Sequence, residues 1–280
     1  MTLVSEQYHL TSDFNPSKII IQRLTTHDSF CLFLDIDGTL SAFHNDPSQS
    51  FIPKTTLDII ERIITLGIPV IAVTGRPIEV AQKLFEPLTL PIAGLHGLKI
   101  ELDCHTHISP DLSTIDFKQI KQSLQSACAD YPQLLLEDKT HSFALHYRQC
   151  PWLEPVAQQI MQQLHAMHPL MKLNHGKCVI ELLPKQADKG HAINTILRHL
   201  NQNHVLAIFI GDDITDENGF KAINDCGGLS IKVGGGMSQA QYRLQDINAV
   251  ADFLKQFEQF LDRRTHLKVQ ARHGEKACLS

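Results

Sequence analysis

The sequence predicts an α/β protein in which a doubly wound parallel sheet forms a core and an inserted α+β segment forms a cap. Short apolar runs alternate with amphipathic segments at both ends of the chain, which is typical of strands and helices in a parallel sheet. The middle of the chain places apolar or alternating runs side by side, as in an antiparallel sheet. Acidic or hydroxyl residues follow several of the predicted core strands, at the edge where such sheets bind ligands.

The first part of the chain carries five predicted core elements. The run FCLFLDI is apolar up to its acids and indicates a buried parallel strand. The next helix is indicated by apolar residues at helical spacing that stop before Gly67. The predicted elements are a strand at Phe30–Ile36, a helix at Pro53–Thr65, a strand at Pro69–Val73, a helix at Pro77–Phe85 and a strand at Leu90–Ala93.

The last part of the chain repeats the same alternation. Its first buried strand ends in Gly211-Asp212-Asp213, so a second set of acids is expected at the same edge of the sheet as the first. The predicted elements are a helix at Ala187–Leu200, a strand at Val205–Ile210, a helix at Thr215–Asn224 and a strand at Leu229–Val233.

The middle of the chain is predicted to form the cap. Phe143, Leu145 and Tyr147 alternate with more polar residues, which suits a sheet with one exposed face. The cap elements are helices at Asp111–Tyr131 and Trp152–His168, and strands at Gln133–Glu137, Ser142–Arg148, Met171–Leu173 and Lys177–Leu182. We therefore assign residues 1–103 and 186–262 to the core, 104–185 to the cap, and 263–280, which are polar, to a mobile tail.

Composition excludes several classes of function. A formal charge of −5 over 280 residues argues against a nucleic-acid partner or an anionic membrane surface. The seven cysteines are scattered without a CxxC pair, so we expect free thiols rather than a zinc site or a disulfide framework. The first ten residues have no basic start and no apolar stretch, so we expect no signal peptide, and the longest apolar-rich run is too short to span a bilayer. A cytoplasmic protein is expected.

Charged and hydroxyl side chains cluster where the predicted strands end. Two carboxylates held together are costly unless a cation relieves them, and a hard divalent metal such as Mg²⁺ prefers such oxygen ligands. A hydroxyl and basic side chains nearby suit a phosphate group. Taken singly, each residue has a plain structural explanation as a helix cap, a turn or a surface ion pair. The candidates are Asp35, Asp37, Thr74, Arg76, Lys189, Asp212, Asp213 and Asp216.

These motifs resemble those of the haloacid dehalogenase superfamily of phosphohydrolases: DIDGT at 35–39, VTGR at 73–76, KG at 189–190 and GDDITDE at 211–217. The resemblance implies that Asp35 attacks phosphorus to form an aspartyl-phosphate, and that Asp37 acts as general acid and then general base. It implies that Thr74 and Lys189 hold phosphoryl oxygens. It further implies Mg²⁺ as cofactor, bound by Asp35, the Asp37 carbonyl, Asp212 and Asp213, with Asp216 as an alternative to Asp213.

The cap is similar to that of the trehalose-phosphatase family in the stretches GLHGL (94–98), LEDK (136–139), ALHYR (144–148), GKCVIEL (176–182) and KQADKG (185–190). TDENGF at 215–220 also fits the family. The resemblance implies a C2B-type cap and hydrolysis of trehalose 6-phosphate, the final step of trehalose biosynthesis. The substrate-binding residues it implies are Arg76, His96, Gly97, Arg148, Lys177, Glu181 and Asp216.

Some features leave alternatives open. Lys177 and Glu181 are at even spacing on one predicted strand and would face the same side, either to grip sugar hydroxyls or as an exposed ion pair. Leu183 stands where the family commonly has a basic residue, so another sugar phosphate, of the sucrose-phosphate or mannosylphosphoglycerate type, is a rival substrate. A phosphomutase and a non-catalytic sugar-phosphate-binding protein are further alternatives. Association with a trehalose-phosphate synthase is left open, and cap hinges are expected near residues 103–110 and 184–188.

Overall fold

The structure is a computed structural model that describes residues 16–44, 49–200 and 205–277. The first ten residues, on which the expected absence of a signal peptide depends, lie outside this part. The strands are β1 Phe30–Leu34, β2 Val70–Val73, β3 Ile92–Gly94, β4 Lys99–Glu101, β5 His107–Ile108, β6 Leu135–Asp138, β7 Phe143–His146, β8 Met171–Gly176, β9 Val179–Pro184, β10 Leu206–Gly211, β11 Leu229–Val233 and β12 Tyr242–Leu244. The helices are α1 Pro16–Leu24, α2 Lys54–Thr65, α3 Ile78–Phe85, α4 Phe117–Cys128, α5 Glu154–Met167, α6 Lys189–His199, α7 Glu217–Asp225 and α8 Ile247–Ala277.

An eight-stranded sheet in the order β12-β11-β10-β1-β2-β3-β4-β5 forms the core. The first six strands are parallel, and β4 and β5 extend the sheet in antiparallel fashion. The central strands are buried along their whole length, because α1, α2, α3 and α8 pack on one face and α6 and α7 on the other. The predicted doubly wound parallel sheet is therefore confirmed, and its antiparallel edge was not predicted.

A second sheet, in the order β6-β7-β9-β8, is antiparallel throughout and forms the cap. Helices α4 and α5 contribute Ile120, Leu124, Ile160 and Met161 to a separate apolar cluster with this sheet. Because β5 pairs with β4 in the core sheet, the cap begins after Ile108 rather than at residue 104. The α+β architecture of the inserted segment agrees with the prediction, and its C2B class stays a prediction.

The strand predicted at Lys177–Leu182 begins and ends two residues later in the structure. The chain reverses in a turn between Gly176 and Val179, with Cys178 at φ 61°, and β9 runs from Val179 to Pro184. Lys177 therefore lies in the turn, while Glu181 lies on the strand. The expected pairing of these two side chains on one strand face does not occur.

The C-terminal segment is helical where a mobile tail was predicted. Helix α8 continues through Asp262 to Ala277, because Phe253, Leu254 and Phe257 recur at helical spacing and are fully buried against the core. Beyond Asp262, Arg264 donates one hydrogen bond to Asp28 and one to the carbonyl of His27, and its guanidinium carbon lies 6.0 Å from the ring centre of Phe30. These contacts tie the beginning of the predicted tail to the core. No helix among the described residues has the length and apolar character of a membrane span.

Candidate active site

Three parallel strands bring the predicted site residues together. Asp35 directly follows β1, Thr74 follows β2 and Asp212 follows β10. Strand β1 lies between the other two in parallel register. The carboxyl ends of the three strands therefore meet at one edge of the sheet, as predicted from sequence.

Lys189 is the first residue of α6 and is 2% exposed. Its ammonium donates hydrogen bonds to Asp35 Oδ1 at 2.8 Å and to Asp216 Oδ1 at 2.7 Å. Burial alone would lower the pKa of Lys189, but the two carboxylates outweigh it and raise that pKa above its usual value. Lys189 is thus a permanent cation that holds Asp35 in place.

Asp216 is fully buried and shapes the backbone of the site. Its Oδ2 accepts hydrogen bonds from the backbone N–H groups of Asp212 and Asp213, both at 2.9 Å. A Cβ added at Gly211 would lie 2.4 Å from Asp216 Cγ, so this close approach requires glycine. Asp216 therefore fixes the backbone of the site, and its predicted role in substrate binding stays a prediction.

Carboxylate oxygens of Asp35, Asp212 and Asp216 lie within 4.8 Å of one another. Burial, followed by the charges of Asp216 and Asp213, raises the pKa of Asp212 to about 7. Burial also raises the pKa of Asp35, against the opposing effect of Lys189. Asp212 Oδ1 is buried and accepts no hydrogen bond from the residues that the structure describes. This crowded oxygen set, with one oxygen lacking a partner, fits a hard divalent cation.

Asp213, predicted as a metal ligand, is not part of this oxygen cluster. Its Oδ1 accepts the backbone N–H of Ile214 at 2.7 Å and caps the short 3-10 turn that leads into α7. The difference arises because the side chain turns to the free N–H groups of the turn, which attract a carboxylate oxygen. Among the carboxylates that follow β10, Asp212 and Asp216 supply the cluster instead.

Arg76 binds Asp37 through two parallel hydrogen bonds. Its Nε donates to Asp37 Oδ2 at 2.7 Å and one terminal nitrogen donates to Asp37 Oδ1 at 2.6 Å. The same nitrogen also donates to Ser50 Oγ at 2.7 Å. A guanidinium engaged in this way orients Asp37, and the predicted contact of Arg76 with substrate stays a prediction. These two parallel hydrogen bonds, which we call the Arg76 fork, hold the Asp37 carboxylate in place.

Thr74 is fully buried, and its position is fixed by the sheet and the following turn. Its backbone N–H donates to the carbonyl of Ala93 at 2.9 Å, and its Oγ1 accepts the N–H of Arg76 at 3.2 Å. As an acceptor in that bond, the hydroxyl keeps its own proton to donate. This agrees with a side chain placed to donate to a phosphoryl oxygen.

Facing the core, the cap contributes Glu181 and a lysine that the sequence analysis did not single out. Glu181 Oε2 lies 2.8 Å from Nε2 of His96 in the core, and Glu181 Oε1 accepts from Lys139 Nζ at 2.8 Å. Burial would raise the pKa of Glu181, but His96 and Lys139 outweigh it and hold that pKa well below its usual range. The LEDK stretch contains Lys139, so the family resemblance was the signal that could have found it.

Gly97 is a close-packing position rather than an exposed contact. It is buried with φ +85°, and an added Cβ would lie 2.5 Å from Cβ of Ala192 and 2.8 Å from the carbonyl oxygen of Asp188. Only glycine combines this backbone conformation with such a close approach. The predicted contact of Gly97 with substrate stays a prediction.

Lys177 and Arg148 lie together where the cap faces the core. Arg148 donates to the carbonyl of Lys177 at 3.1 Å and to that of His44 in the core at 3.4 Å. The Lys177 ammonium lies 4.3 Å from the ring centre of Phe43 and 3.7 Å from Asp212 Oδ2. Lys177 is 67% exposed there, so it is free to move toward an anionic ligand.

Leu183, where the family commonly has a basic residue, lies away from these polar groups. It is 1% exposed and packs with Leu95, Leu98 and Ala187 in a small apolar cluster between core and cap. A buried leucine here stabilises the junction of the two domains.

Comparison with known proteins agrees with this geometry. The family model described as trehalose-phosphatase matches residues 33–248. A trehalose-6-phosphate phosphatase of Escherichia coli is 35% identical over 230 residues, covering 81% of this chain and 85% of its own. A Sinorhizobium fredii protein named a probable trehalose-phosphate phosphatase is 38% identical over 214 residues, covering 75% and 80%.

Solved structures show the same fold. A trehalose-6-phosphate phosphatase related protein superposes with a TM-score of 0.69 at 26% identity, covering 84% of this chain and 99% of its own. The C-terminal domain of the Candida albicans trehalose-6-phosphate phosphatase gives a TM-score of 0.77 at 17% identity, covering 91% and 99%. Because the family model matches residues 33–248, which is more than half of the chain, the chain belongs to the trehalose-phosphatase family.

Proposed function

We propose that this protein hydrolyses trehalose 6-phosphate to trehalose and phosphate, the last step of trehalose formation, in the cytoplasm. The observation that carries the proposal is the carboxylate cluster of Asp35, Asp212 and Asp216 around the buried Lys189 ammonium, in a chain of this family. Phosphoryl transfer needs in-line positioning and neutralisation of charge, and this arrangement supplies both.

Asp35 is the nucleophile. One of its oxygens is held by Lys189, which leaves the other to attack phosphorus, and the bond from phosphorus to the sugar oxygen breaks. Asp37, oriented by the Arg76 fork, takes up a proton and releases one of the two Arg76 hydrogen bonds, and it then gives that proton to the leaving sugar oxygen. It then takes a proton from water, whose oxygen attacks phosphorus and releases phosphate while Asp35 returns to its free carboxylate.

Mg²⁺ is the cofactor that the oxygen set fits. Asp35 and Asp212 would hold it, with Asp212 Oδ1 the buried oxygen that lacks a partner among the described residues. The backbone carbonyl of Asp37 is the further ligand that the family motif suggests. When bound, the ion neutralises charge on the phosphoryl oxygens and on the acidic cluster. The hydroxyl of Thr74 would donate a hydrogen bond to a phosphoryl oxygen.

The cap selects the sugar. Glu181 accepts and Lys139 donates hydrogen bonds to sugar hydroxyls, since both are buried, fixed and adjacent. Lys177 lies next to Phe43 and Asp212, and Arg148 donates to the Lys177 carbonyl, so these two cations serve the phosphate end. The small apolar cluster around Leu183 joins the domains without contacting the sugar, so the missing basic residue does not weaken recognition of the sugar.

Phosphate release tests the proposal. Wild type and Asp35→Asn are compared on trehalose 6-phosphate, sucrose 6-phosphate and glucose 6-phosphate, with and without Mg²⁺, and Asp225→Asn serves as a matched control at an exposed acid. We expect Mg²⁺-dependent release from trehalose 6-phosphate in wild type and control, and none in Asp35→Asn. Phosphate release from sucrose 6-phosphate alone would refute the assignment of trehalose 6-phosphate as substrate. Return of the phosphoryl group to sugar would indicate a mutase, and no turnover a binding protein.

A further inference from the structure

Core and cap touch through few polar contacts. Across the described ranges, the side-chain contacts between the two domains include Arg148 to the His44 carbonyl at 3.4 Å, Lys177 to Asp212 at 3.7 Å, and His96 to Glu181 at 2.8 Å. The last pair differs from the others because both side chains are buried, with 11% and 9% of their surfaces exposed. A short, buried contact between domains is the strongest of the three.

His96 is held for this contact by a strained turn. Leu95 and His96, at φ 52° and 56°, are consecutive non-glycine residues in the left-handed region. Such conformations persist only where the surroundings enforce them, and they cluster at functional sites. Here the His96 N–H donates to the carbonyl of Thr74 at 2.9 Å, and the Leu95 N–H donates to that of Arg76 at 2.9 Å.

The imidazole of His96 is pressed against the glycine of the VTGR motif. A Cβ added at Gly75 would lie 2.6 Å from the His96 ring, so the ring fits only because residue 75 has no side chain. Its Nε2 bonds Glu181, and its Nδ1 is buried without a partner among the described residues. The ring therefore makes one side-chain hydrogen bond, and that bond goes to the cap.

On the cap side, Glu181 depends on the same bond. Its Oε1 is held within the cap by Lys139 at 2.8 Å and Ser142 at 3.3 Å, whereas its Oε2 is held by His96 of the core. An ionised carboxylate only accepts hydrogen bonds, so Nε2 carries the proton. Oε2 of Glu181 is therefore fixed only while the cap is closed, whereas Oε1 is held by residues of the cap itself.

We propose that His96 is a positioning residue that latches the closed cap by binding Glu181. The latch fixes the Glu181 carboxylate, which binds the sugar, close to Thr74. Thr74 follows β2, the strand next to the one that carries the nucleophile Asp35. It thereby couples sugar recognition in the cap to phosphoryl transfer in the core. The consequence for substrate selection rests on the proposed function, whereas the latch itself does not.

Two substitutions separate the latch from the backbone strain. His96→Gln keeps an N–H donor at the reach of Nε2, whereas His96→Asn is too short to reach Glu181. Asparagine tolerates the left-handed conformation better than glutamine, so a purely structural role predicts that Asn is the milder change. The latch predicts the reverse order. His199→Asn, at an exposed histidine of α6, is the matched control.

The kinetic readout compares two substrates, trehalose 6-phosphate and p-nitrophenyl phosphate, which has no sugar for the cap. We divide kcat/KM for trehalose 6-phosphate by kcat/KM for p-nitrophenyl phosphate. Because His96→Asn loses one charge-assisted hydrogen bond, we expect this ratio to fall about tenfold or more in that variant, mainly through a higher KM for the sugar phosphate. In His96→Gln we expect the ratio to stay within about threefold of wild type. Equal losses on both substrates, or a milder Asn variant, would overturn the latch.

The spectroscopic readout does not depend on substrate. In protein labelled with ¹⁵N-histidine, a buried Nε2–H bonded to a carboxylate gives a slowly exchanging downfield proton resonance. We expect this resonance in the substrate-free wild type and in His199→Asn, and its loss in both His96→Asn and Glu181→Leu, which leaves no acceptor for Nε2–H. Its absence from wild type, or its persistence in Glu181→Leu, would refute the latch. If trehalose 6-phosphate were not hydrolysed at all, the resonance would still decide between these outcomes.

Discussion

The buried Lys189 ammonium offers the sharpest test of how the site is held together. Lys189→Met keeps the length of the side chain but removes the cation between Asp35 and Asp216, whose oxygens lie 2.8 and 2.7 Å from Nζ. Removing one partner from a buried ion pair typically costs about 3–5 kcal/mol, because the remaining charges stay buried and unpaired. That is a large part of the roughly 5–15 kcal/mol by which domains are stable.

The loss should depend on pH in a defined direction. Without Lys189, the pKa of Asp35, which burial raises, loses its largest opposing influence, so folded Asp35 binds a proton that the unfolded chain releases above about pH 4. The variant therefore loses the most stability at pH 7 and recovers part of it as the pH falls to 5. Urea unfolding without added metal, followed by circular dichroism, measures both values relative to wild type.

Lys221→Met provides a matched control. Lys221 pairs with Asp225 at 2.6 Å on α7, but these side chains are 60% and 65% exposed. Exposed pairs of this kind are worth at most about 1 kcal/mol. If Lys189→Met lost no more stability than Lys221→Met, or if its loss were the same at pH 5 and 7, the reasoning about the buried pair would be wrong.

Three further predictions follow from packing and charge. Because the pKa of Asp212 is raised to about 7, the metal-free protein should lose up to about 4 kcal/mol of stability as the pH rises from 4 to 7, and Mg²⁺ should restore it; a flat urea-unfolding profile would contradict this. Gly211→Ala should cost about 1–3 kcal/mol in the same assay, because its Cβ meets Asp216; unchanged stability and activity would count against that close contact. Burial raises the pKa of Cys31 to about 12, so Cys31 should stay unlabelled by maleimide at pH 8 while the exposed Cys104 reacts. Peptide mass spectrometry measures the labelling of both cysteines. Labelling of Cys31 in the native protein would show that its strand is accessible, contrary to this prediction.

Local patterns were sufficient to predict the core of the sheet. Strand β1 and helix α2 follow from an apolar run and from apolar residues at helical spacing, since burial on both faces or on one stripe dictates those patterns. Strands β4, β5 and β12 have only two or three residues each. Such short strands carry no periodicity, so sequence reasoning missed them.

Two features of the site could not be predicted from local patterns. Arg76 and Asp37 are 39 residues apart, and no local pattern indicates that the guanidinium pairs with this carboxylate. The turn at Lys177 was missed because Cys178 takes a positive φ normally adopted by glycine or asparagine. By contrast, the convergence of Asp35, Thr74 and Asp212 could be predicted, because parallel strands end at the same edge.

The central claim is that Asp35 attacks the phosphorus of trehalose 6-phosphate, and trapping the intermediate tests it most directly. The protein would be mixed with trehalose 6-phosphate and Mg²⁺, quenched in acid within one turnover, and reduced with borohydride, which converts an aspartyl-phosphate to homoserine. Peptide mass spectrometry would then locate the modified residue. We predict homoserine at position 35 only, and only with substrate present. Homoserine at Asp37 or Asp212 instead, or unmodified peptides despite turnover, would contradict the proposed mechanism.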